Sequence, residues 1–150
     1  MTRTRLRSKE AEKELQQYKI KLDKKDIIEV LEEKHKILTL NKQPAFFFYQ
    51  NQWIPTLKYL QTNPLLKTIS IDMGAVQFIA NGADLMRPGI VDVDKSIHEN
   101  EPIAIIDQKN KKPIAVGIAL YDSIVILSLA SGKVVKNIHY VGDELWTMEV

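Results

Sequence analysis

Between Asp72 and Val93 the chain reads DMGAVQFIANGADLMRPGIVDV, and over this stretch it has to end a helix, cross a loop and begin a strand. Asp72 is an N-cap residue for the apolar run Met73 to Ala80, and Gly82 stands where such a helix closes in a left-handed turn. Ala83 to Met86 leads to Pro88-Gly89, a turn-forming pair, and Ile90 to Val93 then places its valines at period two. A short helix, a loop edged by Gly82 and Gly89, and a strand follow. The glycines permit close backbone approaches, and Arg87 sets a fixed charge beside them, so the loop suits a flat or anionic ligand.

The rest of the chain is read outward from that stretch. Thr4 to Tyr18 is rich in helix formers and predicts a lightly packed helix over 8–19, preceded by a basic arm of Arg3, Arg5 and Arg7. The arm reads as a disordered, solubilising end in competition with a phosphate contact. Asp26 to Glu33 fits helix and strand periodicity alike. The runs Lys36 to Leu40 and Ala45 to Tyr49 that follow have hairpin spacing, which makes a pairing strand the economical assignment. A short helix is expected over Thr56 to Gln61, with Pro55 at its start, and Asn63 to Lys67 reads as a linker.

Beyond the linker, strands are expected at Thr68 to Ile71, Pro102 to Asp107, Pro113 to Leu120, Lys133 to Tyr140 and Glu144 to Met148. Asp122 to Leu129 reads as a short helix or a covering segment. Ile103, Ile105, Ile114, Val116 and Ile118 point to an antiparallel pair with both faces covered, hence a small β-barrel or curled sheet with one or two short helices. The fold class is α+β. A small N-terminal α/β domain (helix, three-stranded sheet, short helix) over 1–66 precedes a β-barrel domain over 67–150.

Composition narrows the function classes. The chain has 150 residues and no cysteine, which excludes disulfides, thiolate zinc sites and thiol nucleophiles and fits a reducing, cytoplasmic setting. MTRTRLRSKE lacks the apolar region of a secretory signal, and Gly117 and Asp122 interrupt the longest apolar stretch, so neither export nor a membrane partner is expected. Charge is unevenly divided: residues 1–67 hold 14 Lys plus Arg against 8 Asp plus Glu, and residues 68–150 hold 7 against 11. A basic front half is compatible with a polyanion partner, although for scattered lysines a solvated surface is the favoured reading.

Catalytic and metal chemistry find no pattern. His35, His98 and His139 belong to no ligand motif, and DVDKSIHENE lacks the glycine and the final carboxylate of a calcium loop. The segment from Gly82 to Gly89 has no following Lys-Ser or Lys-Thr, GxGxxG is absent, and no serine sits in GxSxG. No cofactor, metal or catalytic residue is expected. A binding module is favoured over an enzyme.

The succession IDMGAVQFIANGADLMRPGIVDVD, then IAIID, PIAVGIAL and NIHYVGDELWTM, resembles the PUA domain, the RNA-binding domain named after pseudouridine synthases and archaeosine transglycosylases. FFFYQNQWIPTLKYLQTNP and the ending IHYVGDELW are further similar to two-domain translation proteins related to malignant T-cell-amplified sequence protein. The resemblance implies a PUA-type β-barrel over 67–150 and RNA binding in a groove between the helix starting near Met73, the loop Gly82 to Gly89 and the last strand near Trp146. It implies contacts from Lys67, Gly74, Ala75, Gly82, Ala83, Asp84, Leu85, Met86, Arg87, Pro88, Gly89 and Trp146. Arg87 would meet a phosphate or base edge, with Leu85 or Met86 flanking a base.

The implied partners are RNA, as a tRNA 3′ end or small-subunit rRNA, together with the ribosome and an initiation-factor-like protein. Two other readings remain. One is a subunit that mainly docks the initiation-factor-like partner, for which an exposed apolar patch over Phe46 to Trp53 is the expected mark. The other is an accessory that brings RNA to a tRNA- or rRNA-modifying enzyme. Met73 departs from the polar residue frequent at its position, which removes one phosphate contact. Charge is therefore expected from Lys67, Arg87, Lys112 and the basic first domain.

Overall fold

Strong β-formers and tight turns dominate the front of the chain, and in the computed structural model, which describes all residues 1–150, they build one five-stranded antiparallel meander. Its strands are β1 (Thr2–Leu6), β2 (Ile28–Glu32), β3 (Lys36–Leu40), β4 (Gln43–Tyr49) and β5 (Gln52–Pro55), in that spatial order. Asn41-Lys42 and Gln50-Asn51 have positive φ at both positions, the backbone of two-residue hairpin turns whose twist matches the flanking strands. The ambiguous run at Asp26 is thus a strand. Helix α1 (Ser8–Glu14), extended by a 3-10 turn over Gln16–Tyr18, lays Ala11 and Leu15 against Ile28, Leu38, Phe46 and Trp53.

Two expectations are corrected in this sheet. It has five strands, not three. Arg3 and Arg5 lie on an ordered edge strand, with Arg3 paired to Glu29 at 3.1 Å, and not on a disordered arm. The alternation Thr-Arg-Thr-Arg carries no apolar face, so hydrophobic periodicity cannot announce β1, although threonine favours strands. Pro55 hides β5, since proline is tolerated there only because the strand is the other edge of the sheet. Helix α2 (Leu57–Leu60) starts from Thr56, whose hydroxyl accepts the Tyr59 amide, so Thr56 and not Pro55 opens it.

The second sheet has six strands in the order β7-β11-β10-β9-β6-β8, where β6 is Thr68–Ile71, β7 Leu85–Met86, β8 Ile90–Val93, β9 Pro102–Asp107, β10 Pro113–Ala119 and β11 Lys133–Tyr140. All neighbours are antiparallel except β6 and β9, which run parallel. Helices α3 (Met73–Ile79) and α4 (Ser123–Ser128) contribute Ile79 and Ile126 to a core with Ile69, Ile71, Ile103, Ile105 and Val135. The sheet curls round that core as a near-barrel.

β9 and β10 explain how the two sheets join. Ile103 and Ile105 point into the barrel while Ala104, Val116 and Ile118 point out, onto Ile37, Phe47, Ile54, Leu57 and Leu60 of the first sheet and α2. Both faces of these strands are dry, as their near-continuous apolar sequence requires. Phe47 faces this junction, whereas its neighbour Phe46 packs under α1. Phe46, Phe47 and Trp53 are all buried, so the apolar patch expected of a docking subunit at Phe46 to Trp53 is not there.

Glu144 to Met148 is not a strand. Asp143 accepts the Trp146 amide and caps a one-turn helix α5 (Glu144–Thr147), which presses Leu145 and Trp146 against the junction. His139 ties the halves together from the middle. Its buried ring accepts the Leu57 amide at Nε2 (3.1 Å) and meets the Asp143 carboxylate at Nδ1 (2.9 Å). A ring that accepts at one nitrogen and faces a carboxylate with the other is the neutral Nδ1–H tautomer. No helix is long and apolar enough to cross a membrane.

Candidate functional site

Asp72 opens the site by capping α3: its carboxylate accepts the Ala75 amide at 2.9 Å, and its own amide donates to Gly89 O at 3.0 Å. The second bond pulls the Pro88-Gly89 turn, a 3-10 turn over Arg87–Gly89, against the start of the helix. A Cβ on Gly89 would sit 3.1 Å from that of Ala75, so glycine there sets the spacing between helix and loop. At the other end Gly82 has φ +93°, and a Cβ would come within 2.8 Å of the Tyr140 ring. The left-handed closure expected of Gly82 is therefore reinforced by a close approach that no other residue permits.

The loop between them is pinned by a residue that sequence reasoning missed. Asn137, in the middle of β11, donates its side-chain amide to Ile79 O (3.1 Å) and Ala83 O (3.0 Å), and its backbone amide to Asp84 Oδ1 (2.8 Å). Asparagine is depleted in strands, and its presence inside β11 was the available signal. Asp84 is held by Asn137 and by Lys133 at 2.9 Å. Burial pushes its carboxyl up, but the Asn137 amide and Lys133 outweigh that and leave it below the usual carboxylate range.

The result is a groove of about 420 Å³ between α3 and the loop, lined by Gly74, Ala75, Ala83, Asp84, Met86, Pro88 and Gly89 among the expected residues, and by Asp72, Phe78 and Ile79 besides. Its walls are apolar and open to solvent. Phe78 is 60% exposed and Met86 49%, with Met73 at 44% at the start of the helix. Leu85, by contrast, is 1% exposed and packs beneath the loop, so of the two residues expected beside a base only Met86 is available. Phe78 escaped the sequence reading because an apolar residue within a helical run reads as core.

Gly82, like Leu85, is not part of the lining, and three further expected contacts lie elsewhere. Arg87 donates through Nε to Ile126 O near the end of α4 (2.8 Å) and is not part of the groove lining. Lys67 is bound to Ser96 O (2.6 Å) and to Glu101 (3.0 Å). Trp146 belongs to α5 and packs in the junction between the sheets with Lys58 over its ring at 4.9 Å, so no last strand borders the groove at Trp146. Chemically the groove offers backbone amides and carbonyls, small residues and two exposed apolar side chains. It holds no free cation, and no cluster of three His, Cys, Asp or Glu that could ligate a metal occurs in the chain.

Residues 67–141, the whole of this barrel as far as the end of β11, match the PUA domain, and residues 3–63 match a domain of unknown function, DUF1947. The chain belongs to the PUA-domain family. An uncharacterized protein of Methanocaldococcus jannaschii is 39% identical over 85% of this chain and 80% of its own length. Translation machinery-associated protein 20 of Saccharomyces cerevisiae is 29% identical over 86% and 76%, and Malignant T-cell-amplified sequence 1 of Danio rerio 29% over 85% and 75%. The two-domain resemblance thus extends through both halves of this PUA-domain protein. Among solved structures, a hypothetical protein of Pyrococcus horikoshii superposes over 99% of this chain and all of its own with a TM-score of 0.85 at 30% identity. An H/ACA RNP bound to a substrate RNA matches 64% of this chain and 29% of its own at a TM-score of 0.52 and 26% identity.

Proposed function

We propose that this PUA-domain protein is a non-catalytic RNA-binding factor of translation that takes an unpaired RNA strand, the 3′ end of a tRNA or a single-stranded element of small-subunit rRNA, in the groove between α3 and the Gly82 to Gly89 loop. The observation that carries the reading is the pairing of exposed Phe78 and Met86 across a floor of small residues and backbone groups. Unstacked bases are recognised by stacking on such side chains and by hydrogen bonds along their edges, and backbone amides and carbonyls supply the partners for those edges. A duplex has its base faces covered and gains nothing here. The relatives named for the translation machinery and the matched H/ACA particle bound to RNA support the class of ligand and its setting.

Truncation of the two walls tests this. Stacking of a base on a side chain contributes about 1–3 kcal/mol, so Phe78→Ala combined with Met86→Ala lowers affinity for tRNA roughly 10- to 100-fold in an anisotropy titration. Both side chains stand in solvent, so thermal stability is expected to stay within about 1 kcal/mol of the parent. Unchanged affinity in the folded variant contradicts the assignment of the groove.

A further inference from the structure

The groove leaves an electrostatic requirement unmet, since RNA affinity rests largely on cations that neutralise phosphates and release counterions. Most cations near acidic groups are already committed. Arg3 and Lys42 share Glu29, Lys34 is on Glu144, Lys67 on Glu101 and Lys133 on Asp84. One concave site escapes this pattern. Where β1 turns into α1, Arg5, Arg7, Lys9 and Lys24 line a cavity of about 560 Å³, and none of the four makes an ion pair or a side-chain hydrogen bond.

The two acids of the cavity are held by neutral donors. Glu10 accepts the Arg7 backbone amide at 3.0 Å, and Asp26 accepts Asn41 Nδ2 at 3.0 Å and the Asp23 amide at 2.8 Å. Those bonds, Asn41 first, keep the Asp26 carboxyl below the usual carboxylate range. Four cations against two acids leave the cavity with an excess of positive charge, and none of the cations is ion-paired to either acid. Edge strands carry charge to prevent pairing with other sheets, which accounts for Arg5 on β1. It does not account for Arg7, Lys9 and Lys24, which lie outside the strand and converge on the same cavity.

We infer that the Arg5, Arg7, Lys9 and Lys24 cavity is a second RNA contact that holds backbone phosphates of the molecule whose unpaired strand enters the groove. This rests on the RNA-binding reading above and adds to it a division of labour. The groove reads bases without a free cation, and the cavity on the other domain supplies positive charge without reading bases. Two guanidinium forks grip phosphate oxygens bidentately, and the two ammonium groups act as point charges beside them.

The test is the salt dependence of tRNA binding by the full chain. Each phosphate contact contributes about 0.7–0.9 to the slope of log K against log salt, so a variant with all four residues changed to Gln loses about 3 from the slope and tenfold or more in affinity at low salt. The preference for an intact over a trimmed tRNA 3′ end is retained, because the groove is untouched. A control variant with Lys109→Gln and Lys111→Gln, in the exposed turn after β9, carries two neutralised cations and shifts the slope by less than 1. Circular dichroism and Tm confirm that both variants fold. If the four-residue variant keeps the parent slope while the parent binds tRNA, the cavity is overturned and the groove stands. If the parent binds no tRNA at low salt, both readings fall, and if the variant loses binding of polyglutamate but not of tRNA, the cavity is a site for an acidic protein.

Discussion

Gly117→Ala is expected to destabilise the protein by about 2–3 kcal/mol, the upper range for overpacking a core. Gly117 lies in β10 at a register shift, between Ile103 of β9 and Asn137 of β11. A Cβ there would meet Val135 Cγ1 at 2.3 Å and Lys136 O at 2.8 Å. Val135 is fully buried in a close-packed core, and the carbonyl belongs to a paired strand, so β11 itself has to move. That movement carries Asn137, whose side chain pins the groove loop. RNA affinity is therefore expected to drop along with the denaturation midpoint, and a midpoint equivalent to less than about 0.5 kcal/mol of change would show that the strands accommodate a methyl group freely.

Asp143→Ala is the second large effect, at about 3 kcal/mol, combining a lost helix cap with buried donors left unpaired. The carboxylate serves the amides of Trp146 and Tyr140 and the His139 ring at once, each at 2.9 Å. Without it α5 loses its start, and the ring that receives the Leu57 amide loses its orientation. Burial pushes the Asp143 carboxyl up, but the bonds from His139, Trp146 and Tyr140 outweigh burial, and its pKa lies below the ordinary value. A depressed carboxylate contributes stability that is complete above the unfolded value, near 4, and is lost as pH falls through the lower folded value. The gap between parent and variant in urea denaturation thus holds steady from about pH 7 to 5 and narrows below about pH 4. A gap independent of pH would mean that the charge of Asp143 contributes nothing.

How much of this was legible depends on the range of the interaction concerned. The helix, loop and strand between Asp72 and Val93 were readable because capping, the left-handed closure at Gly82 and the Pro88-Gly89 turn are local chemistry. β9 and β10 were readable because strands buried on both faces have an unmistakable apolar run. β1 and β5 were not, since edge strands are marked by charge and proline, the features that otherwise argue against a strand. α5 was misread as a strand because its helix is a single turn set by a cap and by packing of Trp146 across the domain junction. In the site, Gly82 and Gly89 were readable from local turn chemistry, and Gly74, Ala75 and Ala83 came only from the resemblance to the PUA domain. The bonds of Arg87 and Lys67 were not readable, because Ile126 O and Glu101 lie more than 30 residues away in sequence and nothing local announces them.

The most direct measurement compares the affinity of the parent protein for an intact tRNA with that for the same tRNA stripped of its unpaired 3′ nucleotides, at one fixed salt concentration. If an unpaired end occupies the groove, stripping weakens binding by roughly tenfold or more, in line with about 1–3 kcal/mol for each stacked base lost. The variant with Phe78→Ala and Met86→Ala then no longer distinguishes the two RNAs. Equal affinity of the parent for intact and stripped tRNA, with single-stranded small-subunit rRNA segments also binding the parent and the variant alike, would contradict the groove as the place where bases are read.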